Sequence, residues 1–267
     1  MTSTLPPAET AYLAGVLARL RAVLGDTLLG VYPTGSLALD GYTPGRSDVD
    51  LIAVVEQADL AVLETVAAEL SHDVLPCPAT GLEFVLYERS TLAVAGTGAG
   101  FVLNLNTGRE LPPKVEFGAG DDEAVFWYPI DRSISSQQGH ALLGPPPGTL
   151  LGPVPFATLL PVVVESVEAR LHADLDLGDN AVLNACRSLR YATHRRWYPK
   201  RQAAQWAAGV APKFGPLIDA ALRSYARGRA AGATVDGAEV RAFLAFVLGR
   251  LDRDRRPAAS AGRPGGR

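Results

Sequence analysis

The chain has 267 residues and a formal net charge of -3, with 25 Lys and Arg against 28 Asp and Glu. Its hydrophobic content of 48% and charged content of 20% are ordinary for a folded protein and exclude a fibrous, coiled-coil or largely disordered chain. A protein that wraps nucleic acid is usually basic, so nucleic acid is not expected as the main partner. At this length a single hydrophobic core approaches its limit, and we expect two domains.

Two further features bear on where the protein works. No apolar run approaches about 20 residues, and the N-terminus lacks a basic segment followed by an apolar one. We therefore expect neither a membrane span nor a secretory signal. Cys77 and Cys186 lie far apart, without the spacing of metal ligands or of a disulfide framework. The reducing cytoplasm is the simplest location.

The first part of the chain predicts a mixed sheet with flanking helices. Apolar residues recur at helical spacing over 9–24 and again over 59–70. A further helix is expected from Asp131 onward, packed at the junction of the two domains. Apolar or alternating segments predict strands at LLGVYP (28–33), SDVDLIAVV (47–55), GLEFVLYE (81–88), FVLNLNT (101–107) and AVFWYPI (124–130).

The segment GPPPGTLLGPVP, residues 144–155, is rich in Pro and Gly, which oppose both helix and strand. It predicts a boundary between one domain over 1–150 and a second over 151–256, followed by a low-complexity, disordered tail over 257–267. The expected fold class is α+β, with an all-α bundle after the sheet. Helical periodicity in the second domain predicts helices over 156–172, 180–196, 199–208, 216–230 and 237–251.

The segment TGSLALDGYTPGRSDVDLIAVV carries the strongest chemical signal. Side chains two apart on a strand share a face, so Asp48 and Asp50 present two carboxylates together. Adjacent carboxylates repel each other unless a cation lies between them, and Mg²⁺ suits oxygen ligands and recruits phosphates. Gly35 would let the backbone approach a phosphate, to which Ser36 and Ser47 could donate hydrogen bonds. An isolated Asp-x-Asp usually marks a solvated strand edge, but the combination with Gly-Ser is far more specific.

A Gly-Ser turn, a spacer and an Asp-x-Asp strand resemble the signature of the DNA polymerase beta-like nucleotidyltransferase superfamily. Its members also use a third carboxylate on a later strand. Glu83 matches this position, and its alternation with apolar neighbours puts it on the polar face of the strand. Without the upstream motif, Glu83 would be interpreted as an exposed charge. Asp73 and Glu88 are competitors that lie less well within a strand.

The second part of the chain is similar to the helical domain of streptomycin/spectinomycin adenylyltransferases. The similarity lies in an Asn-x-x-Leu-x-x-x-Arg helix followed by Lys and Ala-x-x-Trp, and the full resemblance spans about 30–228. It implies that Arg187 and Lys200 hold the nucleotide triphosphate. It also implies that Asp179, and after it Asp176, contact a cationic acceptor, although Asp179 equally suits a helix N-cap.

The resemblance implies an enzyme that uses ATP as co-substrate and two Mg²⁺ ions held by Asp48, Asp50 and Glu83. Glu83 would be the general base for an acceptor hydroxyl. We expect a monomer that adenylylates a small molecule, foremost an aminoglycoside. The alternatives are a protein or another metabolite as acceptor, or a nucleotide-binding module without turnover. One departure is that Trp127 is the first Trp after Phe117, whereas streptomycin-modifying members have a Trp close behind the Phe-Gly pair.

Overall fold

A five-stranded sheet in the first part of the chain and a group of helices in the second form the structure. The computed structural model describes residues 5–118, 125–172, 177–228 and 235–255. The strands are β1 (Leu28–Pro33), β2 (Val49–Val55), β3 (Leu82–Glu88), β4 (Leu103–Thr107) and β5 (Lys114–Phe117). The α-helices are α1 (Pro7–Leu24), α2 (Gly35–Ala38), α3 (Leu60–Glu69), α4 (Arg89–Ala95), α5 (Trp127–Gln138), α6 (Pro147–Leu151), α7 (Phe156–His172), α8 (Asp179–His194), α9 (Lys200–Val210), α10 (Gly215–Ala226) and α11 (Gly237–Arg255).

The sheet has the order β1-β2-β3-β4-β5, in which β2 and β3 are parallel and the other neighbours are antiparallel. Because side chains alternate along a strand, the sheet has two different faces. One face packs against α1 and α3 in a large core that includes Val16, Leu51, Phe84 and Leu105. The opposite face has a smaller apolar cluster around Ile52 and polar side chains toward one end.

The pairing register aligns those polar side chains across four strands. Asp50 on β2 pairs with Glu83 on β3, and Glu83 pairs with Asn106 on β4. Asn106 in turn pairs with Lys114 on β5. The fold therefore presents a carboxylate pair, an amide and an amine in one row on the face opposite the α1–α3 core.

Helices α7 to α11 share a second core, with Val182, Ile218 and Phe243 at its centre. A third apolar cluster joins the sheet domain to the helices through Ile134 of α5, Val163 of α7 and Trp197. The Trp197 ring stacks on Tyr191 at 4.0 Å, and its indole N–H donates to the Ser133 hydroxyl at 3.0 Å. The two parts of the chain are thus packed together, and the division near residue 150 stays a prediction.

The predicted α+β class is confirmed, and most of the predicted elements are observed. The expected helix over 59–70 is α3, whose N-cap residue Asp59 accepts a hydrogen bond from the Val62 N–H at 2.9 Å. Helix α7 has the predicted bounds. No helix of the described residues is both long and apolar enough to cross a membrane. The predicted tail lies outside the described residues.

One predicted strand is wrong. In AVFWYPI, the described residues form a turn and the first part of α5. The reason is that Phe126, Ile130 and Ile134 recur at four-residue spacing and are all buried in the cluster between the two parts of the chain. Three short elements, α2, α4 and β5, were not predicted, and the predicted linker contains α6, whose first residue is Pro147.

Arg132 of α5 holds the loop before β4 in place. It is only 2% exposed, and its guanidinium donates to the carbonyl oxygens of Gly96, Gly98 and Ala99 at 3.0, 3.0 and 2.8 Å. The same group lies 5.3 Å from the centre of the Tyr87 ring. One buried side chain therefore satisfies three carbonyl groups that would otherwise lose their hydrogen bonds.

We expect Arg132→Leu to lower the free energy of unfolding by about 3 kcal/mol or more, because buried acceptors are left without donors. Denaturant-induced unfolding measures this change. Arg89→Leu is the matched control. Arg89 forms an ion pair with Glu56 at 3.1 Å, but both side chains are more than half exposed, so the expected loss is below about 1 kcal/mol. Equal losses in the two variants would contradict a clamping role for Arg132.

Candidate active site

A cleft of about 1090 Å³ lies between the polar end of the sheet and helices α8, α9 and α10. Its walls include residues from both parts of the chain. Every predicted site residue that the structure describes lines this cleft, namely Gly35, Ser36, Ser47, Asp48, Asp50, Glu83, Asp179, Arg187 and Lys200. Asp176 lies outside the described residues.

Three carboxylates converge on the sheet side of the cleft. Asp48, Asp50 and Glu83 each offer an oxygen atom, and these atoms all lie within 4.8 Å of one another. Asp50 and Glu83 are neighbours across the parallel pair β2–β3, and Asp48 precedes β2 directly. The competitor Glu88 lies at the other end of β3, where its carboxylate accepts a hydrogen bond from the Ala58 N–H.

The carboxylate cluster is electrostatically unfavourable without a cation. Burial raises the pKa of Asp50 well above its ordinary range, and the charges of Asp48, Glu83 and Asp131 raise it further. Lys200 acts in the opposite direction. A divalent cation bound among oxygen ligands would remove the repulsion, and the donor set is the one that Mg²⁺ prefers.

The Gly35 turn lies directly against the metal-ligand candidates. Gly35 has a φ of +53°, and a Cβ atom at this position would lie 2.0 Å from the Asp50 Oδ2 atom. The Thr34 N–H donates to the Asp50 carbonyl oxygen at 3.0 Å, which joins the turn to β2. Glycine is required here by the left-handed backbone and by the close approach to the carboxylate.

The two predicted serines have different environments. The Ser36 hydroxyl oxygen is buried and has no hydrogen-bond partner among the described residues, as expected for a group that meets a ligand. The Ser47 hydroxyl instead accepts from the Thr43 N–H at 3.0 Å, and the Ser47 N–H donates to the Thr43 carbonyl at 2.9 Å. Ser47 therefore closes the turn before Asp48, a structural role that the sequence did not reveal.

Two cations lie on the helical side of the cleft. Burial lowers the pKa of Arg187, while the negative charges of Asp131 and Asp50 oppose this effect. Burial and the neighbouring Arg187 lower the pKa of Lys200 to about 8, and the charges of Asp48 and Asp50 act against this. The Lys200 ammonium donates to the Asn180 amide oxygen at 2.7 Å. An anionic ligand between these cations would favour their charged forms.

Three further residues that line the cleft were not predicted as site residues. Asp131 of α5 accepts a hydrogen bond from Thr34 through its backbone carbonyl at 3.0 Å, and burial raises the pKa of its carboxyl to about 6. The Tyr225 ring lies 5.3 Å from the Lys200 ammonium. Trp127 is partly exposed at the start of α5. A helix was expected from Asp131 onward, but assigning 124–130 to a strand obscured the first turn of α5, which contains Trp127.

Asp179 is already engaged in an ion pair. One of its oxygens accepts a hydrogen bond from the Arg46 guanidinium, and the other is buried without a partner among the described residues. The N-cap of α8 is Gly178 rather than Asp179, which begins the helix. The N-cap interpretation is therefore wrong. The contact with a cationic acceptor stays a prediction that competes with Arg46.

Two comparisons with known proteins bear on the fold and on the helical part of the chain. Residues 149–250 match the family described as aminoglycoside adenylyltransferase, C-terminal domain. No curated protein sequence matches the chain. Among solved structures, the chain is similar to spectinomycin adenyltransferase AAD(9) from Enterococcus faecialis in complex with ATP and spectinomycin. The identity is 18%, the match covers 91% of this chain and 99% of that chain, and the TM-score is 0.67.

An identity this low establishes a shared fold, while the domain match covers the helical part of the chain. The resemblance predicted from the sequence is confirmed by both findings. The chain thus has the fold of the adenyltransferase structure, and over residues 149–250 it resembles the C-terminal domain of aminoglycoside adenylyltransferases; together these findings support a nucleotidyltransferase enzyme.

Proposed function

We propose that this protein transfers AMP from ATP to a hydroxyl group of an aminoglycoside and releases pyrophosphate. The observation that carries the proposal is the charge arrangement of the cleft. Three carboxylates within 4.8 Å of one another lie on the sheet side, and two partly buried cations, Arg187 and Lys200, lie on the helical side. This arrangement suits a divalent cation and a polyphosphate bound between the two parts of the chain.

Asp48, Asp50 and Glu83 would hold Mg²⁺, because their oxygens form a compact anionic group and carboxylate oxygens are ligands that this ion prefers. Bound Mg²⁺ would neutralise phosphate charge and stabilise the attacking and leaving oxygens of an in-line displacement. Arg187 and Lys200 would bind the triphosphate electrostatically. Their lowered pKa values support this role, since each cation gains a negative partner when the nucleotide binds.

The chemical step exchanges one oxygen–phosphorus bond for another. The acceptor hydroxyl oxygen attacks the α-phosphorus, the bond to pyrophosphate breaks, and Glu83 takes the hydroxyl proton. Glu83 lies between Asp50 on one side and the Asn106 amide on the other. It therefore borders the metal ligands and also the part of the cleft where an acceptor can bind.

The acceptor class rests on the domain match and on the fold shared with an enzyme bound to spectinomycin. The cleft is also lined by amide, amine and aromatic side chains, namely Asn104, Asn106, Lys114, Trp127 and Tyr128. These groups can hydrogen-bond to hydroxyls and pack against rings.

We expect the enzyme to act as a monomer in the cytoplasm.

We expect pyrophosphate release from ATP to require an aminoglycoside, Mg²⁺ and Glu83. The measurement follows pyrophosphate release with a panel that includes spectinomycin and streptomycin, with and without EDTA. Replacing the base in Glu83→Gln should slow turnover by about 100-fold or more. Glu88→Gln, at the other end of β3, should keep the rate within about twofold, as expected of a residue outside the cleft.

The outcomes separate the parts of the proposal. Full activity of Glu83→Gln would contradict the base assignment. If ATP binds with Mg²⁺ but no aminoglycoside stimulates release, the nucleotide site stands and the acceptor is a protein or another metabolite. If ATP binds and no acceptor of any class supports turnover, the chain is a nucleotide-binding module.

Gly35→Ala should abolish most of the transfer activity, because the new methyl group would displace the Asp50 carboxylate from the metal site. Gly25→Ala is the matched control. Gly25 has nearly the same backbone angle, with a φ of +52°, but its Cβ would meet no atom within 4 Å. Both variants should lose on the order of 1 to 3 kcal/mol of stability from backbone strain, measured by thermal unfolding. Equal activities of the two folded variants would contradict a requirement for the close approach at Gly35.

A further inference from the structure

A buried ion pair ties the loop between α2 and β2 to the helical part of the chain. The Arg46 guanidinium donates to the Asp179 carboxylate, although the two residues are 133 positions apart in the sequence. The two side chains are only 10% and 4% exposed. Exposed ion pairs add little to stability. In a pair this buried, loss of either partner leaves the other charge away from water, so separating the two side chains is strongly unfavourable.

The ion pair is part of a closely packed contact. The Arg46 guanidinium also lies over the Tyr225 ring of α10, at 4.6 Å from the ring centre. Next to it, the Gly45 carbonyl oxygen lies 3.1 Å from where a Cβ of Gly228 would be. The turn before Asp48 therefore rests against the start of α8 and the end of α10.

Each partner is adjacent to a group of the proposed nucleotide site. Arg46 precedes Asp48 by two residues, and Ser47 between them closes the turn onto Thr43. Because only Ser47 lies between them, a displacement of Arg46 would also displace Asp48.

The helical side has the same arrangement. Asp179 precedes Asn180, whose amide oxygen accepts from the Lys200 ammonium at 2.7 Å, and Arg187 lies further along α8. The Lys200 ammonium also lies 5.3 Å from the Tyr225 ring. The ion pair therefore connects a ligand for the metal with both cations for the phosphates.

We propose that Arg46 and Asp179 are positioning residues, whose ion pair sets Asp48 relative to Lys200 and Arg187 so that MgATP meets a preformed site. The inference rests on the proposed nucleotide site but not on the identity of the acceptor. Preorganisation of this kind strengthens binding because the loop is ordered before the ligand arrives. Asp179 would then serve the nucleotide rather than recognise the acceptor.

A double-mutant cycle tests this assignment. Arg46→Gln, Asp179→Asn and the double variant are compared with the wild type in MgATP affinity, measured by calorimetry, and in the Mg²⁺ concentration for half-maximal binding. We expect each single variant to weaken MgATP binding on the order of 10-fold and to raise the Mg²⁺ requirement. The double variant should be no weaker than the single ones, because all three lose one shared contact.

The control is Arg89→Gln, which breaks the exposed ion pair with Glu56 and should leave MgATP binding unchanged. Additive losses in the cycle would overturn the proposal. It would also be overturned if Asp179→Asn raised only the KM for spectinomycin while Arg46→Gln left MgATP binding intact, since Asp179 would then be an acceptor contact.

Two further outcomes remain informative. If the wild type does not bind MgATP, the proposed function fails. The ion pair is then assessed from the same cycle in denaturant unfolding, where additive losses overturn the proposed coupling.

If the neutral variants do not fold, Arg46→Lys is used instead, because it keeps the charge but loses the planar fork over Tyr225. An intermediate loss of MgATP affinity supports the positioning role, and wild-type affinity in this variant overturns it.

Discussion

The repulsion among three converging carboxylates is the constraint on which the rest of the structure depends. The parallel pairing of β2 and β3 fixes Asp50 beside Glu83, and the strand alternation adds Asp48 to the same group. Burial raises the pKa of Asp50 and so disfavours its charged form. The sheet can carry this unfavourable cluster because its opposite face is part of a large apolar core. Such a destabilising group of charges is expected at a functional site, where a bound cation would offset the repulsion.

The helical part supplies the opposite charge by an equally unfavourable arrangement. Burial lowers the pKa values of Arg187 and Lys200, so each cation is also held in an environment that opposes its charge. The two unfavourable sets face each other across one cleft, where a metal–polyphosphate complex could balance both. The pair of Arg46 and Asp179 has the reverse polarity, with the cation in the first part of the chain and the carboxylate in the second. The two charges of this pair neutralise each other. The pair therefore joins the two parts of the chain without engaging Asp48, Asp50, Glu83, Arg187 or Lys200.

The sequence predicted the features that local pattern determines. The period of two along β2 and β3 placed Asp48, Asp50 and Glu83 on one face, and the Gly-Ser turn preceded them as expected. Arg187 and Lys200 followed from family resemblance. Asp131 was missed because the strand-like residues before it hid a four-residue helical spacing. Arg46 was missed for a different reason: its partner is 133 residues away, and no local pattern reports a contact of that range.

The surroundings of the three carboxylates are unequal, and this inequality supports their proposed roles. Asp50 has the Gly35 turn directly against its carboxylate, and the charges of Asp48 and Glu83 both act on it. Asp48 belongs to the turn that Arg46 and Ser47 hold against the helical part, on the side of Lys200. Glu83 is paired across the sheet with the neutral amide of Asn106. A carboxylate with anionic neighbours on one side and a neutral neighbour on the other could contact a metal ion and also accept a proton from a bound hydroxyl. The two aspartates are less well placed for this double role.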